Sequence, residues 1–274
     1  MWEILSKHNH DLTVRDSWNC TFSFSSSDRV IGRQLFVWKG YQKSIMQAAM
    51  NIYSDIMDNP RQKMLDIGAN IGTVCISLIK NDYFKRAIAI EPEAVNYGYL
   101  EKNVRQNGLE NAIVKVKKAV SNQSGKLCME ISRENYGDHR LRIEQYEKKE
   151  NAYNEQKRDV VEVDVITIDK LLNDMRVDAS EIGLVWIDVQ GFEYHVLRGM
   201  KKLTELKTPM VLEIWPYGLA RADTDINILC EEIESKYRYF YDLREECFKK
   251  YNIEEMANYM HNIAGTTSKD VMII

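Results

Sequence analysis

Residues 64–73 read Met-Leu-Asp-Ile-Gly-Ala-Asn-Ile-Gly-Thr. A short apolar strand (64–67) runs into a glycine-containing turn, and residues 71–79 form a helix with Val74, Ile76 and Leu78 to bury. A turn of this kind binds a nucleotide-like ligand at the carboxyl end of a sheet. The alternation continues outward from it. Residues 87–90 read as a second strand, 94–106 as a helix closed by Asn107-Gly108 in a left-handed cap, and 113–120 as a third strand. Strands follow at 159–168, 184–187 and 210–214, with helices at 169–173 and about 193–203 between them. Farther on, 226–236 and 253–262 are helical, 237–243 is strand-like, and 270–274 is a last strand. Such alternation defines an α/β fold, a doubly wound, mostly parallel sheet covered on both faces.

Residues 1–60 read as an N-terminal extension and 61–274 as one domain. In the extension, residues 21–25 (TFSFS) and 34–38 predict short strands, and 42–57 a helix stopped by Asn59-Pro60. Residues 133–159 are polar and weakly periodic, a loop or lid, and the charge runs at 147–150 and 244–250 read as solvated faces.

A chain of 274 residues with 45% hydrophobic content can bury a sizeable core, which excludes disorder as its main state. The formal net charge of −4 gives no global pull on nucleic acid or anionic membrane, so neither is an expected partner. No apolar run approaches the roughly 18 residues of a membrane span, and the first residues lack a basic, then apolar, secretion signal. Five scattered cysteines without metal spacing fit free thiols in a reducing cytoplasm, the expected location. Nothing in the sequence signals an oligomeric state.

The turn discriminates between cofactors. A dinucleotide fingerprint aligned on Gly68 needs glycines where Asn70 and Thr73 stand, the first of them so that backbone can approach a pyrophosphate. Asp66 would repel phosphate and attract an amine. Glu91 ends the second strand 25 positions beyond Asp66, where a carboxylate accepts hydrogen bonds from ribose hydroxyls. Ribose, adenine and an ammonium group without phosphate describe S-adenosylmethionine. No Walker loop occurs.

The order LDIGANIG (65–72), IEP (90–92), KAVSNQSG (118–125), VDVITIDKL (163–171), WIDVQGFEYHVLRGM (186–200) and LEIWP (212–216) resembles the FkbM family of S-adenosylmethionine-dependent methyltransferases. The resemblance covers about residues 62–218. It implies the class I methyltransferase fold, a seven-stranded sheet with six parallel strands and one antiparallel, releasing S-adenosylhomocysteine. It also implies methylation of a hydroxyl on a sugar, glycan or secondary metabolite, so a small-molecule or glycan acceptor is expected. Carried over by position, Asp66, Gly68, Ala69, Asn70 and Gly72 would line the methionine end of the cofactor. Glu91 would hold the ribose, Pro92 would lie beside the adenine, and the Ala119 backbone would meet the adenine edge.

Methyl transfer from a sulfonium is an in-line displacement from an activated donor. The protein must align the acceptor and, for a hydroxyl, remove its proton. Asp188 and Glu193, past the 184–187 strand, can serve as base and orienter or hold a divalent metal. Gln190 stands where the family often has Glu, so the metal is the less favoured option. Gln190, Glu213 and Trp215 are candidate acceptor contacts. In the polar loop, Asn135-Tyr-Gly-Asp-His-Arg140 offers Asp138 and Arg140 to the acceptor, with His139 as base if Asp188 orients substrate. His195 reads equally as base or packing residue. The rival readings are N-methylation of an amine or peptide-like product, a nicotinamide-dependent oxidoreductase, and a catalytically silent partner subunit that still binds S-adenosylmethionine.

Overall fold

The structure, a computed structural model, describes residues 2–7, 10–57, 61–143, 153, 155–244 and 249–274. A short helix α1 (Trp2–Leu5) leads to a hairpin of β1 (Asp11–Arg15) and β2 (Thr21–Ser25), then to α2 (Ile31–Trp38) and α3 (Lys43–Ile56). The alternating part begins with β3 (Lys63–Ile67), α4 (Thr73–Lys80), β4 (Arg86–Ile90), α5 (Ala94–Gln106) and β5 (Ile113–Val116). Four strands follow, β6 (Ala119–Val120), β7 (Gly125–Ile131), β8 (Arg140–Leu141) and β9 (Asp159–Ile166). Then come α6 (Ile168–Met175), β10 (Ile182–Ile187), α7 (Glu193–Arg198), α8 (Lys201–Glu205) and β11 (Met210–Ile214). The last elements are α9 (Pro216–Arg221), α10 (Ile226–Glu234), β12 (Tyr239–Asp242), β13 (Lys250–Asn252), α11 (Met256–His261) and β14 (Lys269–Ile273).

The main sheet has the order β13-β12-β14-β11-β10-β3-β4-β5. Strands β11, β10, β3, β4 and β5 run parallel, β14 is antiparallel to both β11 and β12, and β13 is antiparallel to β12. Six strands therefore point one way, as expected, but the sheet has eight strands rather than seven. The extra one, β13, pairs with β12 through Tyr239–Tyr241 and forms the edge of the sheet. A second sheet, β6-β9-β7-β8, stands apart from it.

Period-two alternation in the central strands separates two cores. Met64, Ala87, Ala89, Leu184 and Trp186 face the core that also holds Phe22, Phe24, Leu35 and the apolar face of α3. Leu65, Ile88, Val185, Ile187 and Leu212 face the other, with α6, α7, α10 and α11. The N-terminal hairpin is tied to α5 by amide side chains. Asn103 Oδ1 accepts from the Ser23 amide (2.7 Å), and Asn107 Oδ1 accepts from Thr21 (2.9 Å).

Local readings that the fold revises have identifiable causes. Residues 34–38 belong to helix α2, because Ile31 and Leu35, four apart, are buried while Val37 and Trp38 are exposed. The single strand expected at 113–120 divides into β5 and β6, which join different sheets. The strand at 159–166 lies in the second sheet, paired with β7, a strand with no expectation attached to it. The helix expected at 193–203 breaks between α7 and α8, where the Gly199 carbonyl accepts the Asp169 amide at 3.1 Å instead of continuing the ladder. Within 133–159, β8 pairs with β7 and residues 155–157 form a 3-10 turn. Asn59-Pro60 and the 147–150 run lie outside the described residues.

The approach of β3 to β10 sets a strict size limit. Gly68 has φ +84, and a Cβ there would stand 1.8 Å from the Asp188 carbonyl oxygen. Gly108 has a similar φ of +70 with open space around it. Gly108→Ala is therefore expected to cost only the left-handed strain, about 1 kcal/mol. Gly68→Ala adds a backbone collision and is expected to cost about 3 kcal/mol or more. Urea midpoints measure both, and equal losses would contradict the steric account.

Candidate functional site

Strand β3 ends at the point where the chain's order in the sheet reverses, with β4 on one side and β10 on the other. Open α/β sheets bind ligands outside the carboxyl ends of the strands at that point. A cavity of about 520 Å³ lies there, lined among others by Gly68, Asn70, Glu91, Ala119, His139 and Asp188. Pro92 and Gln190 also lie on its wall. The loop between β3 and α4 is held by backbone, since the Gly68 and Ala69 amides both donate to the Ile90 carbonyl at 3.0 Å.

Glu91 closes β4. Its Oε2 accepts the Asn70 amide (2.9 Å) and its Oε1 the Glu93 amide (2.8 Å). Burial nonetheless pushes its carboxyl up to about 8. The Tyr136 carbonyl, from the loop between β7 and β8, accepts from both Asn70 Nδ2 (2.7 Å) and Asn96 Nδ2 (2.8 Å). Two amides thus pin that loop over the cavity. Asn96 Oδ1 is buried and finds no hydrogen-bond partner among the described residues.

Asp66, Ala69 and Gly72 are not on the cavity wall. Asp66 Oδ2 accepts the Cys75 amide in the first turn of α4 at 3.0 Å, and burial pushes its carboxyl up to about 6. The structure shows it bracing the turn from behind.

His139 lines the cavity, but its Nδ1 is committed. Nδ1 accepts the Ser132 amide at 3.0 Å. Nε2 stands 4.0 Å from Glu93 Oε2. Burial pushes its pKa down to about 4, so the ring is neutral, with its one lone pair engaged and its proton on Nε2. Such an imidazole donates a hydrogen bond; it has no free lone pair with which to act as a base.

Asp188 follows β10 and sits at the meeting of two cavities. The second, about 660 Å³, is lined by Tyr41, Gly137, Asp188, Gln190, Glu213 and Trp215, among others. Gln190, with φ +56, donates from Nε2 to Asp188 Oδ1 and to Glu213 Oε2, each at 2.7 Å. Burial pushes both carboxyls up, and Glu213 is raised further by the neighbouring charges of Asp188 and Asp270. Asp270, at the start of β14, is held by Arg244 at 2.7 Å. Arg244 is itself exposed, as expected of its run, and reaches from the surface to the buried Asp270.

The remaining predicted residues are placed elsewhere. Glu193 is fully buried, and its Oε1 accepts the Gly191 amide (3.0 Å), which holds the loop that carries Asp188. Asp138 lines the second cavity and pairs with Arg140 at 2.5 Å. Arg140 is buried against the Trp215 ring, 4.4 Å from its centroid. His195 stacks on Phe192 at 4.2 Å, a packing residue. Sequence reasoning missed Tyr41, Asn96, Tyr136, Arg244 and Asp270. Only Asp270, an acidic residue opening an otherwise apolar strand, carried a signal. Among the described residues, no group of three or more His, Cys, Asp or Glu side chains is arranged to hold a metal, and no helix is long and apolar enough to cross a membrane.

A Rossmann-like sheet with a glycine turn and an acidic strand end around one crevice is the architecture of S-adenosylmethionine-dependent methyltransferases. The sequence matches the methyltransferase FkbM domain over residues 66–261. The chain belongs to the FkbM methyltransferase family. Among solved structures, an FkbM methyltransferase from Methylobacillus flagellatus KT is 15% identical with a TM-score of 0.43, over 83% of this chain and 47% of that one. This chain thus spans about half the length of that protein. M. jannaschii TYW2, solved with AdoMet, is 12% identical with a TM-score of 0.45, over 97% and 86% of the two chains. The B. subtilis M1A22 tRNA methyltransferase TrmK is 14% identical with a TM-score of 0.42, over 84% and 64%. No curated protein matches the chain.

Burial pushes Glu193 up to about 7 from an ordinary 4.5. Ionising it in the fold costs on the order of 3 kcal/mol, so stability falls as pH rises from the unfolded value through the folded one. Glu193→Gln removes this titration and keeps an acceptor for the Gly191 amide. Its unfolding free energy should change less between about pH 5 and pH 8 than that of the parent chain, by that order. Equal pH slopes in urea titrations would contradict the assignment.

Proposed function

We propose that this chain transfers a methyl group from S-adenosylmethionine to a hydroxyl oxygen of a sugar, glycan or secondary metabolite, with Asp188 as the general base. The observation that carries the reading is the meeting of the two cavities at Gly137, Asp188 and Gln190. One cavity suits the donor and the other the acceptor, with a carboxylate between them.

The residues of the first cavity fit the donor. Glu91 would accept the ribose hydroxyls, since its carboxylate has lone pairs beyond the two used by backbone amides. Pro92, Ala119 and Leu141 would flank the adenine, and Gly68 and Asn70 would border the methionine end. The orphaned Asn96 Oδ1 supplies an acceptor for a hydroxyl or ammonium donor, and His139 Nε2 a donor. When bound, S-adenosylmethionine supplies an electrophilic methyl on a positive sulfur.

The chain's own task is to present an oxygen and take its proton. The raised Asp188 carboxyl is a base matched to neutral pH, because a base is most effective near the operating value. Glu213, raised further, keeps its own proton while its Oε2 accepts from the same Gln190 amide, so the pair presents one negative charge rather than two. Tyr41 and Trp215 give the acceptor cavity aromatic walls above hydrogen-bonding carboxyl groups, a combination that suits the faces and hydroxyls of a sugar ring. Glu193 acts through the loop and is a positioning residue. Asp66 braces the turn.

Calorimetric titration of the full chain with S-adenosylhomocysteine should show saturable binding, with NAD giving none. Glu91→Ala should weaken that affinity about tenfold or more, the cost of leaving the ribose hydroxyls without their buried partner. Asp188→Asn should leave the affinity unchanged and abolish most methyl incorporation into hydroxylated acceptors. Tight NAD binding, or full incorporation by Asp188→Asn, would defeat the proposal.

A further inference from the structure

The N-terminal extension reaches the acceptor cavity. The turn between α2 and α3 carries Tyr41 and Gln42, which line that cavity together with Asp188, Glu213 and Trp215. The turn is costly to form. Lys39, at the end of α2, has φ +53 and Gln42, before α3, has φ +49, two left-handed residues of which neither is glycine. It is clamped from behind: the Ser17 amide donates to the Lys39 carbonyl at 2.9 Å, and Lys43 Nζ reaches Ser17 Oγ at 2.7 Å and the buried Asp16 carboxylate at 2.8 Å. Strain that its surroundings hold in this way fixes the position of what the turn presents, here Tyr41. Burial, reinforced by the charges of Asp188, Glu213, Asp270 and Asp28, pushes the Tyr41 hydroxyl well above its ordinary value, so it stays a neutral hydrogen-bonding group within reach of those charges.

The same turn also lines a second space, a groove of about 1710 Å³. Tyr41, Gln42 and Arg244 border both spaces, whereas Gln34, Trp38 and Lys43 border the groove and not the cavity. Cavity and groove therefore meet along the α2–α3 turn.

The first property of the groove is an aromatic face. Trp38 is 61% exposed, while Trp2, Trp186 and Trp215 are buried. The Arg33 guanidinium stands 5.6 Å from its ring centroid and leaves most of the indole open. A large exposed aromatic at the wall of a groove is a stacking surface for a ligand. The second property is charge. Among the described residues of its wall, the cations Lys43 and Arg244 are both spent on buried carboxylates, Lys43 on Asp16 at 2.8 Å and Arg244 on Asp270 at 2.7 Å. The amides of Gln34 and Gln42 and the Tyr41 hydroxyl are uncharged, and each can donate and accept. An indole face with neutral hydrogen-bonding groups suits the ring faces and hydroxyls of a sugar and offers little to a phosphate or carboxylate, which calls for a free cation.

We infer that the groove is a subsite for a further, uncharged sugar unit of the methyl acceptor, with Trp38 stacked on its ring and the Tyr41 hydroxyl at the junction between units. The inference rests on the acceptor reading above and narrows it: the molecule methylated near Asp188 is a neutral oligosaccharide or glycan end, and not a free monosaccharide or a compact metabolite. Trp38, Tyr41 and Gln42 all lie in the extension, ahead of the FkbM domain match that begins at residue 66. The extension is then what selects acceptor length.

The test titrates the full chain calorimetrically with two neutral pairs, glucose and maltotriose, and N-acetylglucosamine and chitotriose, and with trigalacturonate at matched ionic strength. At least one neutral trisaccharide should bind saturably and about tenfold or more tighter than its own monosaccharide. Trp38→Ala, a change at an exposed side chain, should abolish that advantage and leave the affinity for S-adenosylhomocysteine the same. Neither trisaccharide outbinding its monosaccharide, an undiminished advantage in Trp38→Ala, or a preference for trigalacturonate over both neutral trisaccharides would overturn the inference. Methyl incorporation by Asp188→Asn is read separately. Full turnover there would strike at the base, and failure to bind S-adenosylhomocysteine at the donor cavity, without altering what the sugar titrations decide.

Discussion

The backbone contact between the ends of β3 and β10 governs the rest of the site. The Asp188 amide donates to the Ile67 carbonyl at 3.0 Å, and the Asp188 carbonyl lies where a Gly68 side chain would begin. Two loops of different origin are thus brought together with no side chain between them. One loop leads into α4 and borders the donor cavity; the other carries Asp188 and Gln190. Their separation is fixed by main chain, which rearranges far less readily than side chains. In the proposed reading this is what holds the base in line with the transferred methyl, where misplacement by about 1 Å is costly.

Around that contact the protein has gathered carboxyl groups in places that disfavour their charge. Asp66, Glu91, Asp188, Glu193 and Glu213 are all raised, and burial is the largest cause for each. They divide by what their oxygens do. Asp66 and Glu193 accept backbone amides and tie down a turn and a loop. Glu91 and Asp188 keep a face on a cavity. The first pair stabilises geometry, while the second pair is available to a ligand. Buried charge that serves no packing purpose is retained where function needs it, at a cost in stability.

Much of this was legible in the sequence, and the boundary is physical. The Asp66–Thr73 turn, the acidic end of β4 and the order of strands depend on local chemistry, glycine at positive φ and apolar period, and these read directly. Gly68, Asn70, Glu91, Pro92, Ala119, His139, Asp188 and Gln190 do line one cavity. What could not be read was direction. A sequence shows that Asp66 and Glu193 are acidic at strand and helix ends, but strand pleat and loop closure decide whether a carboxyl faces the crevice or the helix behind it. His139 shows the same limit, since its tautomer is set by the Ser132 amide seven residues earlier in a loop without periodicity. Tyr41 and Arg244 come from segments about 200 residues apart, and only the antiparallel placement of β14 brings Asp270 between Arg244 and the site.

Gln190 explains why these separate elements act as one site. A third carboxylate at this position, beside Asp188 and Glu213, would raise mutual repulsion or invite a cation to quench it. An amide does the opposite, donating to both acids from one nitrogen. It therefore joins the two carboxyls without adding charge, and its φ of +56 shows that the backbone accepts strain to present it.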